Sequence, residues 1–359
     1  MSKIVCVIGA TGNQGGSVVR RFLSEPGYRV RALTRNPKSP AAEKLADQGA
    51  KLVKVDLDDV NTLTAAFAGA NIIFSVTNYW EPFFRPDCRQ RAEQKGVSCR
   101  KYAYDVEYQQ GKNIADAAAT VVDTLDENGF IASTLSHAGR CSKRIFEELY
   151  HFDAKADVFP HYVEEKHPLL AQKMSCVQTG FFNSSYKLVP ESYFRKMPDG
   201  SFKMSFATAP KALIPHLAVN ADLGNFVFAV CKMPPGKSYI AAGTFCSWQE
   251  YMRIWSRVTG VASSYEQVTV EQMKEASPDK EFGREVGDMF AYSSDPGYDG
   301  GDKSLLRADD LRAVSPSVIL VLADAVANQT LFIKAGIDCP MTTLEEWMKK
   351  EDWSSVLAA

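Results

Sequence analysis

Apolar residues in the first third of the chain fall into short continuous runs, separated by stretches whose apolar positions recur every three or four residues. The first run (Ile4, Val5, Cys6, Val7, Ile8) predicts a buried strand over 3–8 that ends at a glycine cluster. A helix is predicted over 14–24, where Val18, Val19, Phe22 and Leu23 share a face, followed by a second strand over 28–33. The same reading gives a helix over 41–48, a strand over 51–55, a helix over 60–67 and a strand over 71–76. A long helix with alanine along one side is predicted over 106–125, and a fifth strand over 130–134. Strand and helix alternating in this way predict an α/β fold, a doubly wound parallel sheet covered by helices on both faces. Ligands in such folds bind at the carboxyl ends of the strands.

Beyond residue 134 the pattern loosens. A polar loop over 136–143 leads into helical material to about 173, then a strand over 175–179 and turns rich in proline and glycine. Ser247 with Glu250, and Thr343 with Glu346, have the spacing of capping boxes. The division read from this is a nucleotide-binding domain over 1–180 and a smaller α+β substrate-binding region over 181–359, with elements exchanged between them. Two segments lengthen the plan. Residues 83–105 read as a lid, a partner-binding arm or a disordered insertion, and their position beside the expected site favours the lid. Residues 313–340 carry an apolar run, Val318 to Leu322, that needs burial against the body or a second subunit.

Composition narrows the function. The 359 residues include 41 basic and 43 acidic side chains, a net charge of −2, so no basic face is available in bulk to neutralise a phosphate backbone. Nucleic acid is therefore not an expected partner. No apolar stretch approaches the roughly 20 residues that span a bilayer. The eight cysteines show no CxxC pair and read as reduced thiols. The expectation is a soluble cytoplasmic protein with no membrane partner and no metal site, acting on a small molecule and able to form a homodimer.

The strongest chemical motif is Gly9-Ala10-Thr11-Gly12-Asn13-Gln14-Gly15, lying between the first strand and the first helix. Glycines there allow a sharp turn and close approach of a pyrophosphate, which the amides of the first helical turn accept. The alternative is a bare glycine turn with no ligand. An NAD site would place an acid at the end of the second strand, but this chain has Arg35 twenty positions after Gly15, then Lys38. Guanidinium and ammonium suit the 2′-phosphate of NADP, so NADP(H) is the predicted cofactor. Asp56 and Leu57 end the third strand, where they either hold the adenine amino group or start the next helix. Thr77, Asn78, Tyr79 and Trp80 follow the fourth, near the path of the nicotinamide ribose.

GATGNQGGSVV, the run RALTRNPKSPAAEKLADQGAKLVKVDLDD and the segment VTNYWE resemble the NmrA-like family, atypical members of the short-chain dehydrogenase/reductase superfamily. The resemblance covers about 3–260 and returns at TTLEEWMKK. It implies a Rossmann-type fold, NADP(H) preference, and either reductase activity or redox-sensing regulation through a partner protein. Typical members of that superfamily use Ser, Tyr and Lys, the last two as YxxxK. Here Lys155 stands at the lysine position, but His151 occupies the place four before it, with Tyr150 adjacent, and Thr134, or Ser133 or Ser136 nearby, ends the fifth strand where the serine would stand. Lys155 is thus expected to hold the nicotinamide ribose; either His151 or a tyrosine from the substrate side protonates the product, or His151 only lines the cleft. Phe181, Phe182, Asn183 and Tyr186 follow the next strand and either shape the substrate pocket, with Trp80, or pack the core. The resulting expectation is an NADPH-dependent oxidoreductase reducing a C=O, C=C or C=N bond of a small apolar metabolite. Its alternative is a non-catalytic NADP(H)-sensing regulator.

Overall fold

The computed structural model describes residues 2–311 and 339–358. The chain opens with β1 (Lys3–Val7), α1 (Asn13–Leu23), β2 (Tyr28–Thr34), α2 (Pro40–Asp47), β3 (Lys51–Lys54), α3 (Val60–Phe67) and β4 (Ile72–Ser75). Next come α4 (Trp80–Phe84), α5 (Pro86–Gln94), α6 (Cys99–Ala119), β5 (Phe130–Thr134), α7 (Tyr150–Ala156) and β6 (Met174–Thr179). Downstream lie β7 (Phe181–Phe182), β8 (Arg195–Lys196), β9 (Phe202–Phe206), β10 (Ile214–Leu217), α8 (Val219–Val230), β11 (Ser238–Ala241) and β12 (Thr244–Cys246). They are followed by α9 (Trp248–Thr259), β13 (Ser263–Gln267), α10 (Val270–Ala276), α11 (Lys280–Tyr292) and α12 (Leu344–Lys350).

Seven of these strands form one parallel sheet in the order β3-β2-β1-β4-β5-β6-β11. The unbroken apolar run of β1 is what a strand buried on both faces requires. Val5 and Val7 pack with Val18 and Phe22 on one side, while Cys6 and Ile8 pack with Leu63 and Phe67 on the other. Strand order reverses between β1 and β4, which opens a crevice at their carboxyl ends. The fold is thus the doubly wound, Rossmann-type α/β arrangement that the alternation predicts.

The chain beyond residue 180 returns to this first layer. β11 pairs with β6 at the sheet edge, and α8 packs across α1. Gly224 makes that helix crossing close: its N–H meets Ser17 Oγ at 2.9 Å, and a Cβ there would lie 2.3 Å from the Ser17 carbonyl oxygen. The rest of the region carries two small sheets, β12-β10-β7 and β13-β9-β8, around an aromatic core that includes Trp248, Tyr251, Trp255 and Tyr292.

Three local expectations change. The long helix spans Cys99–Ala119 instead of 106–125, because Ser98 caps it by accepting the Lys101 N–H at 3.0 Å. Residues 83–105 are therefore not a disordered insertion; they form the end of α4, α5 and the first turns of α6, with Phe83, Cys88, Ala92 and Tyr102 buried. Of the two capping boxes, Thr343–Glu346 is complete, whereas Glu250 turns to Arg253 and Arg257 and leaves only the Ser247 half. The apolar run expected within 313–340 lies outside the described residues. No helix among the described residues is long and apolar enough to cross a membrane.

Candidate functional site

The crevice between β1 and β4 opens into a cleft of about 1950 Å³. That exceeds the range of roughly 300–1,000 Å³ usual for one small ligand, so it has room for a dinucleotide and a second molecule. At its inner end lies the glycine loop. Gly9 takes a φ of +61°, in the region that favours glycine, and its carbonyl accepts the Gly12 N–H at 2.9 Å. Gly15 sits so close under this turn that a Cβ would stand 2.3 Å from the Gly9 oxygen. Gly12 begins α1 with no side-chain cap, and the first turn holds no acid. The first-turn amides thus remain available to an anion, and the bare cradle fits a pyrophosphate. Thr11, Asn13 and Gln14 complete the lining, and Gln14 Oε1 accepts the Ser133 hydroxyl at 2.8 Å.

Arg35 lines the cleft with its side chain 62% exposed, its guanidinium 2.5 Å from Glu81 Oε1 of α4. Glu81 is the acid that reaches this strand end, and it comes from 46 residues downstream. Lys38 does not itself line the cleft, though its neighbours Asn36 and Ser39 do; the residue is exposed, and its N–H donates to Asn36 Oδ1 at 3.1 Å. Asp56 and Leu57 line the cleft, yet Asp56 Oδ1 already accepts the Asp58 N–H at 3.0 Å, and the helix cap is Asp59. Thr77, Asn78, Tyr79 and Trp80 all reach the lining. Tyr79 is fully buried and its hydroxyl donates to the Arg100 carbonyl at 3.2 Å, so it faces α6 rather than a ligand.

Two buried acids organise the centre. Glu107 of α6 accepts the Thr77 hydroxyl at 2.7 Å and the Lys155 ammonium at 2.5 Å through Oε1. Its Oε2 is buried with no hydrogen-bond partner among the described residues. Glu285 of α11 accepts both the backbone N–H of His151 at 2.8 Å and its Nδ1 at 2.7 Å. Arg100 Nε reaches the other Glu285 oxygen at 2.7 Å. Burial pushes the Glu285 carboxyl up, but the hydrogen bond from His151 and the charges of His151 and Arg100 outweigh it and hold the group below its ordinary range. Thr134 lines the cleft beside them, but its hydroxyl donates to the Phe159 carbonyl at 2.9 Å. Its proton is thereby committed to the protein. Tyr150 lies under the Arg100 guanidinium and against Tyr104, and is not part of the lining.

The part of the cleft formed by residues beyond 180 is rich in apolar side chains, with Glu191, Arg195 and Lys203 also in its lining. Phe181 and Phe182 line it, as predicted residues of a substrate pocket, but Asn183 and Tyr186 do not. Tyr186 stacks on Trp353 with ring centroids 5.0 Å apart, and Asn183 is buried with neither amide atom hydrogen-bonded among the described residues. Instead α11 supplies Phe282, Val286, Met289 and Phe290. Glu107 and Glu285 are absent from the sequence-based expectation, although each leaves a trace. Glu285 falls on the apolar stripe of Phe282, Val286 and Met289, and Glu107 on that of Ala103 and Ile114, where an acid is out of place.

The family model described as NmrA-like matches residues 1–348. An NmrA-like family domain-containing oxidoreductase of Penicillium ochrochloron, ptmS, is 28% identical over 310 residues, covering 82% of this chain and 84% of that protein. Another of that description, hkm9 of Aspergillus hancockii, is 41% identical over 118 residues, which span 33% of this chain and only 30% of the relative. Among solved structures, NmrA, a negative transcriptional regulator, in complex with NADP superimposes with a TM-score of 0.66 at 19% identity, over 97% of this chain and 95% of that one. That likeness is one of fold.

Proposed function

The chain belongs to the NmrA-like family, and we propose that it is an NADPH-dependent oxidoreductase that reduces a C=O, C=C or C=N bond of a small apolar metabolite. The observation that carries this reading is the single cleft, with an uncapped glycine loop at one end, an aromatic chamber at the other and Lys155 and His151 between them. Relatives named oxidoreductases and an NADP-bound neighbour of the same fold support it. When bound, NADPH supplies the hydride.

The chain's own residues then have distinct tasks. The α1 amides take the pyrophosphate, and Arg35 turns from Glu81 to the 2′-phosphate. Lys155, steadied on Glu107, donates to the nicotinamide ribose. With Nδ1–H on Glu285, His151 keeps Nε2 for the proton that the product needs, and the carboxylate fixes the ring's orientation. A dinucleotide-sensing regulator is the competing reading, favoured by the histidine that stands where YxxxK would place tyrosine.

NADPH consumption across quinones, enones, imines and aldehydes separates the two. Turnover is expected with at least one class, and Lys155→Ala lowers kcat/KM about a hundredfold by loosening the cofactor's reacting end. Tight NADPH binding with no turnover in any class would favour the sensor. Arg35→Ala is expected to weaken NADPH binding about 10- to 100-fold, the worth of one or two charge-assisted hydrogen bonds, while leaving NADH nearly unchanged. An equal loss for both dinucleotides in a fluorescence titration would remove Arg35 from the 2′-phosphate.

A further inference from the structure

The outer chamber is built from rings. Phe181, Tyr193, Phe206, Phe282, Phe290 and Tyr298 all line it. Phe206 stacks on Phe290 with centroids 3.9 Å apart, and Tyr193 meets Phe206 edge-on at 5.1 Å. Phe181 bridges the two tyrosines, 6.3 Å from Tyr193 and 6.2 Å from Tyr298.

Two hydroxyls belong to this lining. Tyr193 is 6% and Tyr298 8% exposed, and neither hydroxyl has a hydrogen-bond partner among the described residues. By contrast, Tyr292 shares a hydrogen bond with Ser136 Oγ at 2.8 Å, and Tyr265 donates to the Thr208 carbonyl at 2.5 Å. Both residues line the cleft and neither hydroxyl is sealed from it, so a ligand in the chamber meets two donors that the protein leaves unused. Tyr298 is also held in place. Its carbonyl accepts the Ser136 hydroxyl at 3.0 Å, and its ring lies edge-on to Phe152, the neighbour of His151, at 5.2 Å. Burial raises both phenols far above their ordinary range, which keeps them neutral donors.

We propose that Tyr193 and Tyr298 are the hydrogen-bond donors that orient the substrate, and that the substrate is a flat, largely apolar multi-ring molecule carrying an oxygen or nitrogen acceptor. This rests on the reductase reading of the same cleft. Flat rings suit aromatic walls, and an acceptor is what two unpartnered donors select for.

The test uses 9-fluorenone and its oxygen-free counterpart fluorene as probes, titrated by tryptophan fluorescence into the protein with and without NADP. Wild type is expected to bind fluorenone at least tenfold more tightly than fluorene. Tyr193→Phe and Tyr298→Phe, which keep the rings, each reduce the preference, and the double variant abolishes it with NADP affinity unchanged. Tyr292→Phe, which removes a hydroxyl already partnered inside the protein, leaves the preference intact. Equal affinity of wild type for both probes, a preference that survives in the double variant, or no binding of either probe would overturn the assignment while NADP still binds. Failure of wild type to bind NADP would instead overturn the reductase reading beneath it.

Discussion

Gly15→Ala is expected to weaken NADPH binding by at least a hundredfold, about 2.7 kcal/mol, and to lower the stability of the fold as well. A Cβ at this position would stand 2.3 Å from the Gly9 oxygen, 2.6 Å from the Gly9 carbonyl carbon and 2.7 Å from the Ile8 oxygen. All three are backbone atoms, so no side-chain rotation relieves the overlap. The backbone they belong to is also tied down, by Ile8 N–H on the Phe74 carbonyl at 3.1 Å and Gly12 N–H on the Gly9 carbonyl at 2.9 Å. Either the loop or the first turn of α1 must move, and each carries the amides that a pyrophosphate would meet. Overpacking of this kind costs about 1–3 kcal/mol in stability. Gly12→Ala is the informative comparison, since its Cβ would meet one atom, the Gly9 oxygen, at 3.3 Å. Thermal melts and NADPH titrations of the two variants are expected to rank Gly15→Ala as clearly the worse in stability. Wild-type melting and binding in Gly15→Ala would show that close packing of the loop does not shape the site.

This loop was readable because its information is local: five apolar residues, the glycines and an amphipathic helix follow one another within the first two dozen positions. The strands were readable for a related reason. A strand buried on both faces must be apolar throughout, and β1 to β5 fall within a few residues of the runs that predict them. Helix starts were less legible. In α6 the cap is a serine in a polar stretch, and seven residues of helix precede the first position predicted for it. Periodicity says nothing about a helical turn whose outer face is entirely polar.

What was not legible is what the tertiary fold brings from far along the chain. Arg35 was identified from its place at the end of β2, but its partner Glu81 was not. Lys155 and His151 are candidates through the resemblance to the YxxxK pattern, while the acids that hold them come from 48 and 134 residues away. Aromatic residues after β6 were ambiguous for the same reason. Phe181 and Phe182 turn into the cleft, whereas Tyr186 turns towards Trp353 near the other end of the sequence. The outer chamber belongs almost wholly to residues 181–298, whose pattern resembles any packed core until the cleft beside it is seen.

Glu285→Ala is expected to cost about 3–5 kcal/mol, the range for removing one partner from a buried ion pair. Glu285 is fully buried and joins three parts of the molecule: Arg100 at the start of α6, His151 at the start of α7 and its own helix α11. Without it, Arg100 keeps, among the described residues, Asp288 at 3.5 Å and the largely exposed Glu148 at 3.3 Å as charged partners, and two N–H groups of His151 lose their acceptor. Glu285→Gln keeps the shape and an acceptor oxygen but not the charge, and is expected to lose less. The same residue sets part of the acid response. Its folded carboxyl is held below the ordinary value of 4.5, so the unfolded chain binds the proton more readily than the folded one. Its contribution is therefore complete above pH 4.5 and fades as pH falls through the lower folded value. Urea unfolding at pH 7, and again from pH 5 down to about pH 3, checks both statements. Wild type is expected to lose stability along the acid limb more steeply than Glu285→Gln, which has no carboxyl to protonate there. A Glu285→Ala protein within about 1 kcal/mol of wild type at pH 7, or parallel acid limbs for wild type and Glu285→Gln, would mean that Arg100 and His151 are held by something other than this carboxylate.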